Sequence, residues 1–464
     1  MMLSKSVKKI FGSIGHFFLA ILLSCSLVIT LPSDALADVR RADIVLGESV
    51  DSRGLSVVQC PAIESEYALV MSGSGTVYFE RNATSPTQIA SVTKIMTAIV
   101  ALENTPVDTM ISVSARSASV GESSATLQEG DVLTFVDALK GLMISSGNDA
   151  SIALAETVGN LMSQGTAQGE AAEQVFVDAM NAKAVDLGLI DSFFTNPHGL
   201  DGEGYGSDMH SCALDVATMA QYAMQNETFR SIVGTFEDVI TVTGNAPRSI
   251  SLTNTNELLS YYEGEAGIKT GFTYLAGYCL ASVNVRNGED IYTVVLQCND
   301  QNIRFDDTRV LYDWYYEHNI SYPLAHSDQI TSMQYNGQVT EVPVVAEVAH
   351  SDWIDKTIKA TLSDPFQAVA IFDLNGNVNQ SIDYDMVSGN IKTGDKLGTI
   401  TFKQRNNELI TVDLISCEDS EAPDFFEGIG IWWDRLFKSF SGEAVVAENV
   451  LINQTPLISM KEST

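Results

Sequence analysis

Positive charge is scarce in this chain: 26 lysines and arginines face 59 aspartates and glutamates, a formal net charge of -33 with an isoelectric point near 4.3. With so few cations to neutralise phosphates, a nucleic-acid backbone is excluded as a partner. Cysteine is also sparse, six in 464 residues, and no two stand at metal-ligand spacing, so a zinc site is disfavoured and no metal or cofactor is expected. No low-complexity tract occurs, and the only internal repetition is a pair of tripeptides. The 45% apolar and 18% charged content fits a globular chain of two or three domains.

The first 37 residues read as an export signal. Lys5, Lys8 and Lys9 precede an apolar run over 17–31, and Ala35-Leu36-Ala37 supplies a small-residue cleavage site before Asp38. Two other readings stay open: a lipoprotein site at Cys25 and an uncleaved anchor. Either way the protein is exported and works at the outer face of the cell membrane or in the cell wall. Five cysteines then remain: Cys60, Cys212, Cys279, Cys298 and Cys417. Asn287-Gly288 signals a hairpin turn that sets Cys279 opposite Leu296 instead of Cys298, so buried thiols are expected in place of a disulfide.

From about residue 67 to 322, strand patterns (ALVMSGSGTVYFE, AGYCLASVNV, DIYTVVLQC) mix with helical ones (KIMTAIVALEN, ASIALAETVGNLM, EQVFVDAMNAKAVDLG). From about 327 to 417 the helical patterns nearly vanish and short alternating runs take over, VPVVAEV, TIKATLS, AVAIFDL and ELITVDLIS. The expected division is a leader over 1–37, an α/β domain of α+β type over 58–325, a β-rich domain over 326–420, an amphipathic helix over 421–441 and a tail over 442–464. In that helix Phe425, Phe426, Ile429, Trp432, Trp433, Leu436, Phe437 and Phe440 share one face. That face could dock on the β-rich domain or lie in a membrane surface, and Glu427, Asp434, Arg435 and Lys438 cancel in charge. The tail has no account from sequence.

Ser91 precedes Lys94 by three residues at the start of a helical pattern, so the amine can reach the hydroxyl. A serine needs a base to become a nucleophile, and a lysine serves if burial or neighbouring cations lower its pKa. The spacing alone is weak, because Ser6 and Lys9 repeat it in the leader. Two further tripeptides follow in order, Ser146-Gly147-Asn148 and Lys269-Thr270-Gly271. Both recur as Ser388-Gly389-Asn390 and Lys392-Thr393-Gly394.

The ordered set Ser91-x-x-Lys94, Ser146-Gly147-Asn148 and Lys269-Thr270-Gly271 resembles the serine penicillin-recognising enzymes. With IASVTKIMTAIVALE, NPHGLD, LTNTNELL and GIKTGFTYLAGYCLA, residues 60 to 320 resemble the low-molecular-mass penicillin-binding D-alanyl-D-alanine carboxypeptidases. The resemblance implies a β-lactamase-like or transpeptidase-like fold, an antiparallel sheet flanked by helices, with a helical subdomain facing Lys269 across a cleft. It implies Ser91 as nucleophile, Lys94 as its base, Ser146 as proton relay and Asn148 as orienting amide. Lys269, Thr270, Gly271, Phe272 and Arg304 would bind substrate, with backbone N–H groups of Ser91 and Phe272 as oxyanion hole. The implied partners are peptidoglycan stem peptides, β-lactams as covalent inhibitors, and a membrane surface through residues 425–440.

Other residues read as structural. His198 and His210 shape loops, and Glu156 and Asn160, at a spacing known from some β-lactamases, lie on a helix surface. The second tripeptide pair, with no Ser-x-x-Lys after Leu324, belongs to a turn between strands. A D,D-endopeptidase, a weak β-lactamase and a non-catalytic wall-binding protein are the alternatives, and the intact motifs speak against the last.

Overall fold

The computed structural model describes residues 40–458 except 203 and 207, so the leader lies outside the described residues. A seven-stranded antiparallel sheet organises the first half. Its order runs from Glu48–Ser49 through Ile44–Val45, Val77–Arg81, Tyr67–Ser72, Glu289–Cys298 and Gly277–Arg286 to Glu265–Thr273 at the edge. The run ALVMSGSGTVYFE is two strands, because Gly75 at φ 87° turns the chain back. Alternation sorts the side chains to two faces. Leu69, Met71, Ala281 and Val294 enter a helix-covered core, whereas Ala68, Val70, Leu280 and Val295 pack under the helix Gln301–His318.

Asn287 and Gly288, at φ 54° and 80°, make the expected tight turn. Pairing keeps to the expected register as far as Leu280 opposite Val295, then slips at a bulge where Gln297 takes φ 58°, bringing Cys298 opposite Tyr278. All five described cysteines are free and buried.

The second half is built from antiparallel strands around its own core of residues such as Val348, Ile358, Ile400, Phe402 and Leu414. Strands not singled out from sequence include Ile330–Tyr335, Val378–Tyr384 and Lys396–Gln404, and the run VPVVAEV is divided between Gln338–Pro343 and Ala346–Ala349. The strand Asn319–Pro323 pairs with Ala368–Phe372, and Phe372 packs on Trp314 and Tyr315, so the two halves share a seam. The helix Phe425–Ser441 starts on an Asp424/Glu427 capping box and ends at Gly442 in the left-handed region. None of its residues is buried.

The tail returns after that helix. Val450–Leu451 pairs with Ala346–Ala349, and buried Asn453 donates to Leu324 O at 2.9 Å and accepts from His326 N at 2.6 Å. The amphipathic helix is therefore an excursion fastened at both ends. Among the described residues no helix is long and apolar enough to cross a membrane.

Candidate active site

Ser91 sits in a 3-10 turn, Ala90–Thr93, that runs directly into the helix Lys94–Asn104. The preceding Ala90 is held at φ 47°, a conformation an alanine adopts only under constraint. Lys94 Nζ lies 2.8 Å from Ser91 Oγ, 2.7 Å from Asn148 Oδ1 and 2.8 Å from the carbonyl oxygen of His198. Lys94 is completely buried, and its pKa is pushed well below the usual lysine range, first by burial and then by the nearby positive charge of Lys269, against a smaller opposing pull from Asp149.

The second tripeptide is a tight corner. Ser146 takes φ 60° and the helix Asn148–Met162 begins immediately after Gly147. A Cβ on Gly147 would stand 2.9 Å from both Ala125 N and Ala125 Cβ, which accounts for the glycine. Behind the corner, buried Asp149 accepts from Ala125 N, Ser124 Oγ and Leu127 N, and Asn148 Nδ2 donates to Gly121 O at 3.1 Å. This fixes the loop over 121–127 as one wall of the cleft.

The opposite wall is the edge strand Glu265–Thr273. A Cβ on Gly271 would come within 2.8 Å of Ile89 O and 3.1 Å of Ser91 N, so the strand presses on the nucleophile's own turn. Lys269 is buried, donates to Thr270 O at 2.8 Å, and has its pKa lowered to about 7 by burial and then by Arg304. Thr270 Oγ1 is 2.6 Å from Thr255 Oγ1. Arg304, on the helix behind, is 7% exposed, donates to Gly271 O at 3.3 Å and lies over the Tyr278 ring. Between the walls opens a cleft of about 770 Å³ lined by Ser91, Ser146, Asn148, Thr270, Gly271 and Arg304, among others.

Every site residue singled out from sequence thus converges on one cleft: Ser91, Ser146, Asn148, Thr270, Gly271, Phe272 and Arg304 line it, and Lys94 and Lys269 lie beneath. His198 is buried, accepts from Leu200 N through Nδ1 and has its pKa lowered to about 3, mainly by burial, so it is a neutral loop residue. Its carbonyl, however, holds Lys94, a contribution that side-chain reasoning misses. Thr255 was missed too, although it lies in LTNTNELL. His210 stands apart, half-buried beside Phe193. Glu156 corrects the surface reading: its side chain is 11% exposed and paired with Arg116 at 3.1 Å, because Arg116 of the helix Ala115–Ala118 reaches across to it.

The second pair of tripeptides is elsewhere. Lys392 is paired with Asp419 at the surface, Gly389 N donates to Asp352 Oδ2, and Asn390 Oδ1 accepts from Ala422 N. Among the described residues no group of three or more His, Cys, Asp or Glu side chains is placed to hold a metal ion.

A fully buried lysine on a serine at a helix start, an amide-bearing corner and a lysine-bearing edge strand define a serine acyl-transfer site of the penicillin-recognising class. Residues 55–300 match the family model described as D-alanyl-D-alanine carboxypeptidase, peptidase S11, and the chain belongs to that family of serine peptidases. It is 29% identical to the D-alanyl-D-alanine carboxypeptidase DacF of Bacillus subtilis over 364 residues, 77% of this chain and 86% of that one. It is 28% identical to the carboxypeptidase DacC of Escherichia coli, covering 82% and 90%. Among solved structures, the Streptomyces K15 DD-transpeptidase superposes with TM-score 0.52 at 30% identity, covering 55% of this chain and 98% of that one. The carboxypeptidase DacD of Francisella tularensis, at 22% identity and TM-score 0.52, covers 78% and 94% and shows the shared fold.

Proposed function

We propose that this enzyme removes the terminal D-alanine from peptidoglycan stem pentapeptides through an acyl-enzyme on Ser91. The observation that carries the reading is the environment of Lys94 Nζ, fully buried with three neighbours. Its depressed pKa favours the neutral amine, in which two N–H groups donate to Asn148 Oδ1 and His198 O and the lone pair is left to accept the Ser91 proton. Ser91 Oγ then attacks the carbonyl of the penultimate D-alanine, and the oxyanion is stabilised by backbone N–H groups of Ser91 and Phe272.

Collapse of the tetrahedral intermediate breaks the peptide bond. The Lys94 proton passes through Ser146 to the departing amine, leaving an ester on Ser91. Arg304 and Thr270 hold the terminal carboxylate while buried Lys269 adds positive charge from beneath, and a water hydrolyses the ester with Lys94 again as base. β-Lactams enter by the same attack and stay as the acyl adduct. Residues 58–325 carry this chemistry and residues 326–420 present the helix.

On this reading residues 1–37 export the chain, and Phe425, Phe426, Trp432, Trp433, Phe437 and Phe440, all exposed, attach it to the membrane surface. The purified chain should release D-alanine from a diacyl-L-Lys-D-Ala-D-Ala peptide and, with Trp432, Trp433 and Phe437 all changed to Ser, should no longer float with lipid vesicles at an unchanged melting temperature. No release from a protein that still takes up penicillin would turn the reading to the D,D-endopeptidase alternative.

A further inference from the structure

The two ends of the cleft differ in charge. At one end Arg304, buried and with no partner for its Nε, faces the cavity next to Thr270. Along the strand from Gly271, which abuts Ser91, the next residue on the same face is Thr273, roughly 7 Å further on. Its hydroxyl donates to Asp201 Oδ2 at 2.6 Å, so Asp201 marks the other end. Glu122, on the wall held by Asn148, also lines the cleft, from a backbone at φ 58° that disfavours any side chain. Among the described residues, the charged side chains lining the cavity apart from Arg304 are these two carboxylates.

At the acyl end the turn after the strand carries Tyr274, 98% exposed, and Leu275, with the Tyr274 ring edge-on to Phe272. A substrate whose terminal carboxylate lies at Thr270 and Arg304 and whose scissile carbonyl lies at Ser91 must send its preceding residue past Thr273 toward this turn. In a peptidoglycan stem that residue is a diamino acid. If its amine is free, it carries a positive charge on a flexible stem, which carboxylates and an aromatic face both attract.

Building on the carboxypeptidase reading, we propose that Tyr274, Leu275, Asp201 and Glu122 form a subsite for the free side-chain ammonium of that diamino acid. The enzyme would then favour stems whose amine has not been acylated by a cross-link. The residues act on specificity, through the fit of the acyl side, and leave the bond-breaking steps as they are.

The test compares Nα-acetyl-L-Lys-D-Ala-D-Ala, with a free ε-amine, against its Nα,Nε-diacetyl counterpart on the full chain. The free-amine peptide should have a kcat/KM higher by about fivefold, with the advantage shrinking in about 1 M salt. Glu122→Gln and Tyr274→Ala should each bring the free-amine value down toward that of the diacetyl peptide. Equal values in the parent, or a preference that survives both substitutions, would overturn the subsite while leaving carboxypeptidase activity standing. Release from neither peptide would instead remove the underlying reading, and the subsite with it.

Discussion

Ser146-Gly147-Asn148 and Lys269-Thr270-Gly271 are spelled identically to residues 388–390 and 392–394, yet the fold treats the two pairs oppositely. The first pair is split between two walls of a cleft, and its lysine is 1% exposed. The second lies on one surface segment, and its lysine side chain is 65% exposed and engaged by Asp419. There the residues act as a bracket. Thr393 N and Oγ1 both donate to Asp419, Ile391 bridges Ser420, and Asn390 accepts from Ala422, so the segment holds the chain that leads into the helix Phe425–Ser441. Arg435 of that helix donates to the carbonyls of Ser351 and Trp353. Residue identity supplies the chemical groups; desolvation and a serine within reach turn them into a site.

The end glycines, Gly271 and Gly394, separate the pairs most sharply. A Cβ at Gly271 would strike Ile89 O and Ser91 N, whereas Gly394, at φ 93°, has open space around it and needs glycine only for its backbone. Gly271→Ala should therefore lower kcat/KM by roughly 100-fold, because it displaces the nucleophile's turn. Gly394→Ala should cost about 1 to 2 kcal/mol of stability from left-handed strain and leave kcat/KM unchanged. A melting curve beside a D-alanine release assay reads both. Equal loss of activity in the two variants would erase the distinction.

A smaller effect is expected from pH. Lys94 works as a neutral base and Lys269 as a cation, so activity should rise as Lys94 loses its proton and fall as Lys269 does. With Lys269 lowered to about 7 by burial and Arg304, the alkaline limb of kcat/KM should fall near neutrality. A bound carboxylate favours the charged lysine, which should place the corresponding limb of kcat at higher pH. Lys392→Met should leave both limbs where they are, and a limb that moved with Lys392 would place that lysine in the reaction.

Much of this site was legible because its groups are side chains at fixed local spacings: Ser91 and Lys94 on one helical turn, Lys269 to Gly271 on one strand. Their order identified the family, and ALVMSGSGTVYFE, AGYCLASVNV and DIYTVVLQC marked strands of the sheet, although Leu69 and Val70, both apolar, did not show which face each would take. What escaped was nonlocal or carried by the backbone. The His198 carbonyl offers no side-chain signal, the Thr255 to Thr270 pairing depends on how a turn meets a strand, and the Gln297 bulge is set by packing. The tail was opaque because a two-residue strand and one buried asparagine leave no periodicity, yet they fasten the helix from its far side.

The most direct test is to treat the chain with a labelled penicillin, digest it and find the peptide that carries the adduct. A single adduct on the peptide containing Ser91, absent in Ser91→Ala and undiminished in Lys392→Ala, is the expected result. An adduct on the peptide containing Ser388, or labelling that persists without Ser91, would contradict the assignment of chemistry to the first pair.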